Sequence, residues 1–98
     1  VSWSFDAELF RWKPDASWFF VRLPQELSDD VRETLTGPPG GFGSVRVEVA
    51  IGASSWATSL FPEGKAGPYV LPVKKAVRTA EGIDEGDTVT VAIALEQA

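Results

Sequence analysis

The stretch YVLPVKKAVRTAEGIDEGDTVTV, residues 69–91, changes its hydrophobic period twice, and the fold reading follows from those changes. Tyr69 to Leu71 is a short apolar run that stops at Pro72, a residue with no N–H for a sheet ladder. Pro72 suits the first position of a helix. Val73, Ala76, Val77 and Ala80 then recur at helical spacing, and Gly82 is placed to end that helix. The triplet EGD (85–87) turns the chain. TVTVAIAL (88–95) alternates strictly, with Val89, Val91, Ile93 and Leu95 on one face.

Ser54–Phe61, SSWATSLF, reads as a strand entering this unit, and PEGKAG (62–67) reads as a turn. The first half of the chain has the same order. In WSFDAEL (3–9), Trp3, Phe5, Ala7 and Leu9 share one face, which predicts a half-buried strand. KPDAS (13–17) is a turn. WFFVRL (18–23) is a second, more apolar strand, expected to be central, and it stops at Pro24. Ser28 is a suitable N-cap, with Asp29 and Asp30 in the first turn that follows. Leu27, Val31 and Leu35 form one apolar stripe, and Gly37 closes the helix. GPPGGFG (37–43) is a stiff loop. VRVEVAI (45–51) points Val45, Val47, Val49 and Ile51 inward and Arg46 and Glu48 outward.

Both halves therefore read strand, strand, Leu-Pro, short helix, Gly, strand. VRLP (21–24) parallels YVLP (69–72), and GSVRVEV (43–49) parallels GDTVTVA (86–92). The expected fold is a single all-β domain with two short helices. Its strands form a six-stranded, mostly antiparallel barrel built on a pseudo-twofold ββαβ repeat, which closes the strand edges. One chain supplies both halves, so a monomer is expected.

Composition narrows the chemistry. The 98 residues contain no Cys and no His, which removes disulfides, thiol nucleophiles, the commonest general base and the commonest transition-metal ligand. No catalytic residue, cofactor or metal is expected. The net charge is −5, from 14 acids and 9 bases, a poor match to nucleic acid or anionic lipid. No run approaches the ~20 apolar residues of a membrane span, and no signal peptide is visible. A cytoplasmic location is the default expectation.

Two segments stand out as candidate sites. Between residues 64 and 80 lie Lys65, Lys74, Lys75 and Arg78 with no acid, in a chain that elsewhere carries five bases and 14 acids. Lys74 and Arg78 are i,i+4 neighbours on one helix face. They and Lys75 suit an anion, and lysines are unusual at a helix start, where acids are favoured. The ordinary alternative is a solvated face whose lysines pair with acids of a neighbouring strand. SSWATS (54–59) mixes hydroxyls with Trp56. Trp56, Thr58 and Ser59 suggest an apolar wall fringed with hydroxyls, against the alternative of a strand whose hydroxyls face water. GPPGGFG lacks the Lys-Ser/Thr of a phosphate loop, and DEGD (84–87) is too short for a calcium loop and reads as a tight turn.

Residues 69–91 resemble the strand–Pro–helix–Gly-Asp–strand hairpin of AbrB-type transition-state regulators, which bind DNA as dimers. Nearly the whole chain is similar to the bacterial domain-of-unknown-function 1905 family. The resemblance runs through FDAEL (5–9), WFFVRLP (18–24), VRVEVAIG (45–52), WATSLFP (56–62), YVLPVKKAVR (69–78) and GDTVTVAI (86–93), in order. It implies a double-split β-barrel of the AbrB-like class and no established activity. The expected function is a non-enzymatic module binding a small anionic or amphipathic ligand through Lys74, Lys75, Arg78, Trp56, Thr58 and Ser59. The alternatives are a protein-interaction or structural domain, then a hydrolase-like enzyme using Lys with Ser or Thr. An AbrB-like DNA-binding protein is the least favoured, because no second basic arm is visible.

Overall fold

A computed structural model describes residues 2–14, 17–35 and 43–96. In chain order they form β1 (Ser2–Glu8), β2 (Phe10–Arg11), β3 (Phe19–Arg22), α1 (Gln25–Thr34), β4 (Val45–Ile51), β5 (Ser54–Pro62), β6 (Tyr69–Pro72), α2 (Lys75–Glu81) and β7 (Thr88–Leu95). The strands make one antiparallel sheet in the order β1-β7-β4-β5-β6-β3-β2. The sheet is all-β architecture with two helices, curled into a nearly closed barrel. β1 approaches β3 across the gap without pairing to it.

The described residues form seven strands where six were expected, and the difference lies at Leu9. Leu9 still pairs beyond the end of β7: its N–H donates to the Asp87 carbonyl (2.9 Å) and its carbonyl accepts from the Gly86 N–H (2.8 Å). Past Leu9 the chain leaves β7, and Phe10 and Arg11 pair with Phe20 and Phe19 of β3. The tight turn at 84–87 that makes this possible is closed by the Asp87 N–H on the Asp84 carbonyl (3.0 Å), with Gly86 at φ 92°.

The period-2 patterns are reproduced. Val45, Val47, Val49 and Ile51 of β4 and Val89, Val91 and Ile93 of β7 are buried and join Phe5, Leu9, Leu60 and Leu71 in one core. The WFFVRL strand is shorter and less central than expected. β3 begins at Phe19, Trp18 precedes it with 67% of its surface exposed, and only the two-residue β2 lies beyond it.

Both helices depart from their expected starts. α1 follows Pro24, whose φ of −55° leads into Gln25, and Glu26 supplies the first-turn acid. Ser28 is therefore inside the helix and fully buried, one turn before Val31. Its hydroxyl accepts the Tyr69 N–H of β6 at 3.0 Å instead of capping its own helix. α1 also ends before the expected Gly37: Thr34 is its last helical residue, and Leu35 leaves it in an extended conformation (φ −65°, ψ 134°). Most of the GPPGGFG loop lies outside the described residues. Pro72 belongs to β6, opposite Phe20, and the Val73 N–H donates to the Phe19 carbonyl (2.9 Å). Those pairings delay the start of α2, so Lys74 is its N-cap residue and Lys75 its first helical residue. Val73 and Val77 are buried, but Ala76 and Ala80 face solvent. Val73 precedes α2, so Val77 is the buried residue of the helix itself. Gly82 ends α2 in the left-handed conformation (φ 64°), with the Ile83 N–H returning to the Arg78 carbonyl at 3.0 Å.

Candidate functional site

Lys74, Lys75, Arg78, Trp56 and Thr58 come together around one cleft of about 480 Å3. Two structural relations bring them there. Val49, Val47 and Val45 of β4 stand opposite Trp56, Thr58 and Leu60 of β5, so these three share the inward face, and Leu60 is fully buried. α2 is then moored over β5 at its far end. Glu81 accepts the Ser54 hydroxyl (2.6 Å) and the Ala53 N–H (3.3 Å), both from the β4–β5 turn and the start of β5. The glycine of that turn, Gly52, has φ 57°, and any Cβ there would fall 1.9 Å from the Glu81 carboxylate.

The floor of the cleft is set by Arg78. Its guanidinium lies 3.8 Å from the centre of the Phe19 ring, and its Nε donates to the Val73 carbonyl at 3.2 Å. Both contacts fix the planar group, which is half-buried. Lys74 and Lys75 are exposed beside it. Among the described residues the ion pairs are Arg11–Glu85, Arg22–Glu63, Arg32–Asp29 and Arg46–Glu96, and none of the three cleft cations takes part in one. Of the expected alternative, a solvated face with paired lysines, the exposure of Lys74 and Lys75 fits the first part, and the pairing to strand acids is not seen among the described residues.

One member of the expected set, Ser59, and one further residue of the basic segment, Lys65, lie elsewhere. Ser59 is on the opposite face of β5, where its Oγ accepts from Arg46 Nη1 at 3.3 Å. Its period-2 relation to Thr58 made that outcome legible. Lys65 is exposed in the β5–β6 loop and does not line the cleft.

Trp18 does line the cleft and was missed as a site residue, because reading it as the first residue of a strand assigns it to packing. It also borders a second depression of about 560 Å3, lined by Trp12, Lys13, Phe20, Phe61, Pro62, Glu63 and Val70. The sequence does carry a signal for this second surface. FF (19–20), LF (60–61) and YV (69–70) put apolar residues on both sides of their strands, so whatever the inner member buries, the outer member needs another cover. One end of the depression carries a bidentate ion pair: Arg22 Nε and Nη2 donate to Glu63 Oε1 and Oε2 at 2.6 and 3.1 Å. That hydrogen-bonded guanidinium holds the Glu63 carboxyl below its ordinary range and raises Arg22.

Chemically the cleft offers cations, a hydroxyl and indole faces. Among the described residues no three His, Cys, Asp or Glu side chains converge as a metal site would require, and no helix is long and apolar enough to cross a membrane. No curated protein is significantly similar to the chain. Residues 5–93, which span β1 to β7, match the family described as Domain of unknown function (DUF1905). With nine-tenths of its length under that match, and with the in-order motifs that carry it forming the barrel strands and the start of α2, the chain belongs to the DUF1905 family.

Proposed function

We propose that this domain is a non-enzymatic binding module for a small organic anion, held in the cleft between α2, β5 and the start of β3. One observation carries the reading: three cations that have no acidic partner among the described residues converge with Trp56 and Trp18 on a single concavity. Arg78 is half-buried against Phe19, and Lys74 and Lys75 reach solvent at the rim, so the cations stand beside an apolar wall that a ligand's non-polar part can cover. α2 has only seven residues, so the attraction comes from the side chains and not from a helix dipole. The anion's head sits among Lys74, Lys75 and Arg78, Trp56 walls one side, and Thr58 supplies a hydroxyl.

The same proposal extends to the fold class. Taking β1 and β2 as one strand bent at Leu9 gives six strands. In that count β1 and β2 pair with β7 and then β3, as β5 pairs with β4 and then β6. This matched pairing supports a pseudo-twofold, double-split barrel of the AbrB-like class.

The test is a thermal-shift screen of inorganic anions, nucleotides, acyl carboxylates and sugar phosphates on wild type and on a Lys74→Glu/Lys75→Glu variant. A specific ligand at about 100 times its Kd should raise the wild-type Tm by roughly 10–20 °C and leave the variant unmoved. A screen in which no compound separates the two proteins refutes the anion reading for those classes.

A further inference from the structure

The outside of a barrel strand ordinarily meets water, and alternation makes it polar. Four outward positions break that rule here. Phe10 and Phe20 are cross-strand partners on β2 and β3, and Phe61 and Val70 are partners on β5 and β6. Phe20 (7% exposed) and Val70 (5%) are buried, yet neither belongs to the barrel core. Phe20 is covered from outside: the rings of Phe10, Trp12 and Trp18 lie 6.1, 5.6 and 6.3 Å from its own. The cover is incomplete, since Trp12, Trp18 and Phe61 keep 52%, 67% and 40% of their surface exposed. An aromatic floor with exposed aromatic walls is an apolar groove rather than a finished core.

Among the described residues the groove has one lining cation outside any ion pair, Lys13, against three in the cleft. Arg22 and Glu63 neutralise each other at one end, and Arg22 also stacks 4.6 Å over Phe10. Lys74, Lys75 and Arg78, none of them in an ion pair among the described residues, are on the far side of Trp18, in the cleft. Trp18 is a wall of both depressions and stands between them, 67% exposed. Their volumes, about 480 and 560 Å3, each fall within the range of small-ligand sites.

We propose that the cleft and the groove form one bipartite site for a free single-chain amphipathic anion. The head group sits among Lys74, Lys75 and Arg78, and the hydrocarbon tail crosses Trp18 onto Phe20, Trp12 and Phe61. This rests on the anion reading above and adds the class of ligand. Charge complementarity selects the head, because exposed lysines alone hold a small anion weakly in salt. The groove supplies the remaining affinity by removing tail methylenes from water. A lipid bilayer does not fit as the occupant, because the 14 acids of the chain oppose an anionic surface.

The experiment is calorimetric titration with butyl, hexyl, octyl and decyl phosphate, each below its aggregation concentration. Affinity should rise by up to about fourfold per added methylene, the factor expected for a tail buried on binding. Trp12→Ser combined with Phe61→Ser removes two groove walls that are 52% and 40% exposed, and a circular-dichroism melt checks that the variant remains folded. The variant should flatten that dependence while leaving butyl phosphate binding unchanged. Lys74→Glu/Lys75→Glu should weaken every member by one common factor. A series that binds with no chain-length dependence overturns the bipartite site and leaves the anion reading standing. Equal binding of the matching alkanols, unaffected by the lysine variant, overturns both. Binding confined to vesicles containing phosphatidylserine, or to a protein partner that masks the tryptophans while the phosphates fail to bind, overturns the bipartite site by reassigning the groove.

Discussion

Replacing Ser28 by alanine tests the way α1 is joined to the barrel. Ser28 is fully buried, and its hydroxyl oxygen accepts the main-chain N–H of Tyr69, a residue only 3% exposed. Alanine leaves that N–H without its partner and out of reach of bulk water. An orphaned buried donor costs about 1–3 kcal/mol. Alanine regains roughly 0.5 kcal/mol in helix propensity. The net loss is about 0.5–2.5 kcal/mol, which lowers Tm by roughly 2–20 °C in a domain of this length. Calorimetry reads the total, and amide hydrogen exchange reads its location. Tyr69 should lose more protection than the global destabilisation accounts for, while Asp30→Ala on the exposed face should stay within about 0.5 kcal/mol of wild type. If Ser28→Ala leaves both Tm and Tyr69 protection unchanged, the hydrogen bond contributes nothing. If instead the amides of Asp29 to Val31 lose protection and Tyr69 does not, Ser28 acts as a cap and the description of α1 is wrong.

Gly52→Ala should destabilise the domain by about 1–3 kcal/mol, since it forces a side chain into a left-handed backbone and displaces the Glu81 carboxylate that moors α2. An unchanged urea midpoint would count against that mooring. The Arg22–Glu63 pair gives a pH signature with a definite sign. Glu63 has a lowered folded value against an ordinary 4.5, so its contribution is complete above about that pH and disappears as pH falls through the folded value. Arg22, raised by the same bond, stays charged throughout that range. The stability gap between wild type and Glu63→Gln should therefore be present at neutral pH and close in acid. It should also be small, because Arg22 is about half exposed. A gap that widens in acid would contradict the assignment.

The local patterns were readable without coordinates. Alternation over 45–51 and 88–95 depends only on which side of a pleat each residue occupies, and the burial of Val47, Val49, Val91 and Ile93 follows it. The charge asymmetry of residues 64–80 was equally plain, and it led to three of the residues around the cleft. Side chains with two uses were not readable. A serine before two aspartates fits an N-cap, and only the packing of α1 against β6 turned its hydroxyl to the Tyr69 N–H. A proline after an apolar run fits the start of a helix, and only its pairing with Phe20 kept Pro72 in the sheet. Phe19 and Phe20 are the same residue type on opposite faces, one in the core and one beneath Trp12 and Trp18. The sequence by itself therefore determined the long alternating strands β4 and β7, their inward faces and the place of the positive charge, because these depend on near neighbours. Tertiary structure alone decided that Trp18 would stand between Lys74 and Trp12, because contacts across β3, β6 and α2 join residues that no local period relates.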